Sequence, residues 1–395
     1  MNILAFDLPN CNHQNLLALC ESGHDVYRCV YGDQSYLISL GVQTLPELDY
    51  TEFQKYPQSE KVRVVRQVMG IANIDVIIVT DPQMGFLCEE LKYDDVTYIG
   101  PSSYVMDMEV NKVQAMEFVA SCGVTVPAIR GRFMSDNFDS HAWSKPLVIK
   151  PVRLWNPAIV SYQGQDDDLK AKLQSEYPHE IFIQEYVDTT WESSINYTII
   201  GDEYLITAIK HDGNIELNYG VAERDWYTDV FMVDLPPESE QIVRQAGEKI
   251  LSKLCGMFPG NHEGTLTGFV IDSDWYFGEW NVRRSMHNSI PSYMTGDAWL
   301  RAMQGDMQIY RQAWHNKRLI QVVAHTTSEY ADTERYPIEL HDTYPEIHPP
   351  AGLRADYVTC SGGVIISTES EHRSVMDKFI SELESTTNFK ANRPY

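Results

Sequence analysis

The 395-residue chain carries 56 acidic against 31 basic residues, a formal charge of −25 with histidine neutral. A general nucleic-acid or anionic-membrane binder needs a basic face, so this balance excludes one, and any anionic ligand must meet a local cluster of Lys and Arg. With 43% hydrophobic and 11% aromatic residues the chain is no disordered polymer, and its length allows two or three domains with real cores.

The acidic excess reads as a solubility surface. The seven cysteines (Cys11, Cys20, Cys29, Cys88, Cys122, Cys255 and Cys360) are odd in number, scattered and without a CxxC pair. Neither a disulfide framework nor a zinc site is expected, and a reducing cytoplasm fits best. The opening "MNILAFDLPN" lacks the charged start and long apolar run of a signal peptide, and no apolar stretch approaches the length of a membrane span.

In chain order, "NILAF" is a short apolar strand, and Asn12 to Ser22 a helix with Leu16, Leu17 and Cys20 inward. "DVYRCVYG" is the next strand and "VRVVRQVMGIANI" a helix, followed by "DVIIVT", "FLCEEL" and "VTYIG". This βαβ series of roughly 100 residues predicts a parallel sheet with helices on its faces. No GxGxxG follows the first strand, so the dinucleotide fingerprint is absent.

From Met108 the pattern changes. "MEVNKVQAMEFVASCGV" carries Val113, Met116 and Ala120 at helical spacing, and Gly123 ends the run like a C-cap. "KPLVIKP" is a buried strand framed by Lys145 and Lys150, and "EIFIQEYV" is another. A hairpin turning at Gly201-Asp202, a helix from Glu238 to about Met257, and the strand pair "TLTGFVID" and "WYFGEWNV" complete an α+β body enclosing a cleft. From about Lys317 come strands "LIQVVAH" and "GGVIIST" and a C-terminal helix whose Val375, Phe379 and Leu383 recur every four residues.

The chemistry is concentrated at "YFGEWNVRRSMHN", residues 276–288. Side chains at i and i+2 of a strand point the same way, so Glu279 and Asn281 bring a carboxylate and an amide oxygen to one point. Oxygen ligands of that kind suit Mg²⁺, which keeps several waters and is completed by substrate phosphates. Arg283 and Arg284 follow where a phosphate would lie. The alternative for this stretch alone is an edge strand with a solvated polar face. A cleft that transfers the γ-phosphoryl group of ATP also needs cations, supplied here by Lys112 early in its helix and by Lys150 at a strand end. Glu185 and the Val187 backbone sit at a strand end for the adenine edge, and Glu192 is placed for the ribose hydroxyls.

The order of these features resembles the ATP-grasp superfamily, in which two α+β lobes hold ATP between them. Within it the chain is similar to phosphoribosylamine–glycine ligase. "IGPSSYVMDMEVNKVQAMEFVASCGVTVPA" is similar to that family's G-P-S helix, with its acidic-x-Ser-Lys and trailing turn. "TLTGFVIDSDWYFGEWNVR" is similar to its final hairpin, which ends Glu-Phe-Asn-x-Arg. "DVIIVTDPQMGFLCEEL" and "YVTCSGGVIISTESEHRSVMDKF" resemble further segments, so the likeness runs from about Asp75 to Phe379. It implies Glu279 and Asn281 as metal ligands, Arg283 as a catalytic residue, and Lys112, Lys150, Glu185, Val187 and Glu192 as nucleotide contacts, with one inserted residue before Glu192. The implied reaction uses ATP with Mg²⁺ or Mn²⁺. A carboxylate attacks the γ-phosphate to give an acyl phosphate, and an amine then displaces phosphate to form an amide. No side-chain nucleophile is needed.

The resemblance fails at the substrate loops. The glycine-glycine-arginine-glutamate-histidine loop after the first strand is replaced by "DLPNCNHQ". The glycine- and lysine-rich phosphate loop is replaced by "KPVRLWNPAIV", in which Arg153 is the one cation after the strand lysine and takes on phosphate binding. The expected architecture is an N-terminal α/β parallel-sheet domain (1–105), an ATP-grasp small lobe (106–187), a large lobe with the metal site (188–316) and a small α+β C-terminal domain (317–395). The expected function is carboxylate–amine ligation on small molecules, with an amino acid as the carboxylate and no nucleic-acid or membrane partner, in a monomer or homodimer. The alternatives are a catalytically degenerate ATP-grasp binding protein and an unrelated α/β binding protein or phosphotransferase.

Overall fold

The computed structural model describes residues 1–6, 13–30, 38, 41–92, 94–139, 142–144, 146–153, 159–161, 173, 179–187, 191–214, 237–283, 294–314, 319–326, 353–358, 363–369, 373–386 and 389–391. The expectations for Lys145, Arg284 and residues 154–158 of the phosphate loop lie outside them.

The chain opens with β1 (Asn2–Phe6), α1 (His13–Glu21), β2 (Asp25–Val30), β3 (Gln43–Asp49), α2 (Tyr50–Phe53), α3 (Gln58–Ala72), β4 (Val76–Val79), α4 (Leu87–Glu90) and β5 (Thr97–Ile99). The strands form one parallel sheet in the order β3-β2-β1-β4-β5. Both faces of β1 and β4 are buried, which is why they read as unbroken apolar runs. Leu4, Phe6, Ile77 and Val79 pack with Phe53, Val62, Val65 and Val68 of α2 and α3. In α1, Leu16 and Leu19 are buried while Cys20 is only partly so.

Next come α5 (Ser103–Val110), α6 (Lys112–Ser121), β6 (Ile129–Met134), β7 (Leu147–Pro151), β8 (Ile159–Ser161) and β9 (Glu180–Gln184), with an antiparallel sheet β6-β9-β7-β8. The single helix expected from Met108 is broken at Asn111, whose non-helical backbone ends α5 and whose side chain accepts from Gln114 N to cap α6. Val113 and Met116 face the core as expected, but Ala120 is exposed. Gly123, at φ 71°, takes the left-handed position that ends the helix.

The third sheet, β11-β10-β12-β13, is built from β10 (Trp191–Gly201), β11 (Glu203–Asn214), β12 (Gly260–Ile271) and β13 (Asp274–Asn281), all pairs antiparallel. Between β11 and β12 runs α7 (Pro237–Met257), whose Val243, Ala246, Ile250 and Leu254 are buried at helical spacing against the sheet. After β13 come α8 (Gly296–Met303) and α9 (Met307–Trp314). Their Trp299, Leu300, Met303 and Met307 share one core with Ile3, Ala5, Leu16, Leu19, Val76 and Ile78 of the N-terminal sheet and with Ile200 of β10. Gly100 N also donates to Asn261 O at 2.8 Å, tying the end of β5 to β12.

The last described sheet is β15-β16-β14-β17, from β14 (Leu319–Thr326), β15 (Leu353–Val358), β16 (Gly363–Glu369) and β17 (Phe389–Ala391), with α10 (Arg373–Thr386) before β17. Among the described side chains of α10 the fully buried ones are Met376 and Ile380, one residue on from the expected Val375 and Phe379, which are partly exposed; the side chain of the expected Leu383 lies outside the described set. Among the described residues no helix is long and apolar enough to cross a membrane, and Cys20, Cys29, Cys88, Cys122 and Cys255 are free thiols.

Candidate active site

The site grows from one irregularity in β13. Strict alternation would send Glu279 and Asn281 to the same side as Trp275 and Phe277, which are buried. The register instead jumps: Gly268 faces Phe277 and Thr267 faces Glu279, so Gly278 is an extra residue. A bulge of this kind turns the strand by one position. Trp280 and Val282 therefore continue the core face, and Glu279 and Asn281 go to the opposite face. Glycine fits the close approach there, since a Cβ at Gly278 would lie 3.2 Å from Thr267 O and from the Phe269 ring and would push both back by a few tenths of an ångström.

The register sets out that second face in rows across β10, β12 and β13. Glu192, Phe269 and Tyr276 form the first row, Ser194, Thr267 and Glu279 the second, and Asn196, Thr265 and Asn281 the third. Thr265 Oγ1 donates to Asn196 Oδ1 at 3.1 Å, and the Ser194 and Thr267 hydroxyls are 3.4 Å apart. Thus the neighbours of the expected metal ligands are hydroxyls and an amide, with Glu279 the one carboxylate in its row.

Lys112 and Lys150 come to the same place from two other elements. Lys112 is the first residue of α6; its backbone N donates to Val152 O at 3.1 Å, which fixes the helix start beside β7. Its ammonium is largely buried and lies 3.9 Å from Glu279 Oε1. Lys150, in β7, donates from Nζ to Gly278 O at 3.1 Å. Gly278 has no Cα partner in the register, so the bulge that turns Glu279 outward also presents this carbonyl to the lysine. Both ammonium groups line a small cavity with Glu109, Gly278 and Glu279 on its polar side and Met116, Phe182 and Phe277 among its apolar walls.

Arg283 follows directly. Its Nε donates to Glu109 Oε1 at 2.7 Å and its Nη2 to Asn281 Oδ1 at 3.4 Å, while Glu109 Oε2 accepts from Val282 N at 3.0 Å. Burial raises the pKa of Glu109, and the guanidinium, together with the Val282 N–H, works against that rise. Glu109 was not among the residues singled out from the sequence. Its signal was an acid just after the apolar Met106 and Met108 on a helix, three residues before Lys112.

The nucleotide contacts expected further out are more dispersed. Glu185, one residue past β9, accepts from Ala128 N at 3.3 Å and lies 3.7 Å from Arg130 Nη2, so its carboxylate is engaged with the chain entering β6. Val187 is partly buried on the same connection, and Glu192 is partly buried in the first row of β10. Arg153 is more than half exposed and its Nη2 donates to both carboxylate oxygens of Asp107, at 2.9 and 3.0 Å. The structure brings Lys112, Lys150, Glu279, Asn281 and Arg283 together, and places Glu185, Val187 and Arg153 on other partners or elements.

The donor set fits a hard divalent cation. Glu279 and Asn281 offer oxygen only, from one strand face, and Glu279 is half exposed. Among the described residues no three His, Cys, Asp or Glu side chains converge into a closed cage. One carboxylate plus substrate oxygens is the manner in which Mg²⁺ is held.

No protein-family model and no curated protein matches the sequence. Solved structures do match. The chain is similar to the L-amino acid ligase of Bacillus licheniformis (TM-score 0.66, 13% identity, 99% of this chain and 98% of that one). It is similar to the phosphoribosylamine–glycine ligase of Thermotoga maritima (TM-score 0.59, 14% identity, 99% and 97%). A third is the biotin carboxylase domain of 2-oxoglutarate carboxylase from Hydrogenobacter thermophilus, solved with MgADP and bicarbonate (TM-score 0.65, 11% identity, 99% and 90%). All three are ATP-grasp enzymes, and over nearly its whole length this chain has the ATP-grasp fold.

Proposed function

We propose that the protein is an ATP-dependent carboxylate–amine ligase that forms an amide through an acyl phosphate, with an amino acid as the carboxylate. The observation that carries this reading is the convergence of Lys112, Lys150, Glu279, Asn281 and Arg283 at one cleft of an ATP-grasp fold. Lys112 and Lys150 hold nucleotide phosphate oxygens through charge-assisted bonds, displacing the Glu279 and Gly278 contacts they make here. Glu279 and Asn281 hold Mg²⁺ or Mn²⁺, which when bound neutralises phosphate charge. Arg283, oriented by Glu109, faces the charge that develops on the transferred phosphoryl group and on the tetrahedral adduct. The substrate carboxylate attacks the γ-phosphorus and ADP leaves; the amine then attacks the acyl carbon, phosphate leaves, and the amine nitrogen gives up a proton. Glu185, Val187 and Glu192 belong to the adenosine end of the same reading. The L-amino acid ligase likeness supports an amino acid as substrate, and the MgADP-bound relative supports the cofactors. The division at 105, 187 and 316 is supported by the four sheets, each lying inside one of the four segments.

The test is magnesium-dependent ADP release, screened over amino acids with and without candidate amines. Release with an amino acid is expected, and Glu279→Gln should lower it by about 100-fold or more, beyond the effect of losing an outer-shell partner, without loss of fold. A second reading, a nucleotide-binding protein without turnover, is favoured by the engagement of Arg153 with Asp107. Nucleotide binding with no ADP release over the whole screen would select it.

A further inference from the structure

We propose that Glu109 is a positioning residue that sets Asn281 for the cation by holding Val282 and Arg283; this rests on the ligase reading above. The β12–β13 ladder ends at the pair Thr265 and Asn281. Among the described residues the register gives Val282 and Arg283 no strand partner, and Glu109 takes that place from α5. One carboxylate oxygen accepts from Val282 N at 3.0 Å, and the other accepts from Arg283 Nε at 2.7 Å. Asn281 is thereby fixed on both sides, by its strand partner and by the two residues after it. The guanidinium then reaches back with Nη2 to Asn281 Oδ1 at 3.4 Å. A cation there keeps the amide oxygen on its side and disfavours the flipped amide, whose N–H₂ would meet a positive group. The amide oxygen is the end a hard cation requires.

Glu109 is fitted for this work and for little else. Its side chain is 2% exposed, which keeps it from solvent, and it borders the same cavity as Lys112 and Glu279. Burial disfavours its charge, which Arg283 offsets, so the carboxylate and guanidinium hold each other in place. The linkage it makes ends on Val282 N, next to Asn281, and through Arg283 on the Asn281 amide oxygen itself. Partners of this kind, one shell out from a metal, orient the ligand and alter affinity for the ion.

The experiment measures ADP affinity by calorimetry, with Mg²⁺ and with EDTA, for the wild type, Glu109→Gln, Arg283→Gln and the double variant. The wild type should bind ADP more tightly with Mg²⁺. Glu109→Gln, which keeps volume and an acceptor, should lower that magnesium-dependent gain by about 10- to 100-fold at most, while affinity in EDTA stays within about twofold. Arg283→Gln should lose a similar part of the gain, and the double variant no more than the larger single loss, because both changes break one linkage. Glu109→Asp should recover part of the gain. An undiminished magnesium gain in folded Glu109→Gln, or single losses that multiply in the double variant, would overturn the proposal. Where Glu109→Gln does not fold, Arg283→Gln decides, since it leaves the Val282 contact intact: an unchanged gain there overturns it. A wild type that binds no ADP in either buffer overturns the ligase reading itself.

Discussion

Replacing His262 with Phe should flatten the acid side of the stability profile. His262 lies on the core face of β12 opposite Ile199, 3% exposed, with its ring edge-on to Tyr197 at 6.1 Å between centroids. Neither ring nitrogen meets a hydrogen-bond partner among the described residues, and burial pushes the pKa from 6.5 down to about 3. The unfolded chain therefore takes up a proton near pH 6.5 that the folded chain refuses until about pH 3. Between those values the unfolded state binds more protons, so stability rises with pH and is lost as pH falls through that window. At 1.36 kcal/mol per unit, the loss is about 2 kcal/mol at pH 5 and about 4 kcal/mol at pH 3, where the folded histidine is itself half protonated. That is a large share of the roughly 5–15 kcal/mol of a folded domain. Glu109, with its pKa raised, works with the opposite sign, stabilising below the unfolded carboxylate value and losing this as pH rises; it is common to both proteins and cancels in the comparison. Urea unfolding of the wild type and His262→Phe at intervals from pH 7.5 to 4.5 measures the difference. Phe adds a constant offset from its larger volume, but it does not titrate. Parallel profiles for the two proteins would refute the reasoning, for the histidine would then have the same proton affinity folded and unfolded.

Three further outcomes are expected. Tyr197→Phe removes the hydroxyl that accepts from Trp280 Nε1 at 2.9 Å and leaves a buried indole N–H unpaired, so urea unfolding should show a loss of about 1–3 kcal/mol; an unchanged midpoint would mean that the indole finds another acceptor. Gly264→Ala would drive a methyl into the Tyr197 ring and place it 2.8 Å from Asn281 O, costing about 1–3 kcal/mol and lowering magnesium-dependent ADP affinity through the displaced strand, measurable by calorimetry. The Arg153–Asp107 pair is exposed, so Asp107→Ala should change stability by less than about 1 kcal/mol. If Arg153 serves the phosphates, Arg153→Ala alone should weaken ATP binding, and equal affinity in both variants would remove it from the site.

The sequence made the regular elements visible and left the irregular ones hidden. β1 and β4 were plain because strands buried on both faces are apolar throughout. β3 was not, because Pro46 interrupts it; it lies at the sheet edge, and Pro46 falls between Leu45 and Asp49 where the register with β2 shifts and no pair is lost. The shared face of Glu279 and Asn281 followed from the two-residue period, yet period alone would have put both against the core. The bulge that corrects this leaves only a glycine as its trace. In α10 a four-residue repeat chose Val375 and Phe379, and packing chose the adjacent stripe, a rotation that a short helix with apolar residues on two neighbouring faces leaves open. Lys112, Lys150 and Arg283 are legible by their place in a motif, whereas Glu109 carries no such mark, because its contacts exist only when α5 is laid against the end of β13.

The N-terminal sheet has borrowed one of its covering layers. Its inner face is closed partly by α1 and partly by α8 and α9, about 200 residues downstream. The contact is close enough that a Cβ on Gly296 would lie 2.8 Å from Leu19 Cα. The first hundred residues are thus not a separable module in inheritance. A recombination event that exchanged them between related chains without residues 296–314 would join a sheet to a cover shaped for another, leaving Trp299, Leu300 and Met303 against foreign side chains. Viable chimaeras should carry both pieces from one parent, and substitutions on α1 should be answered by substitutions on α8 rather than by changes nearby in the chain.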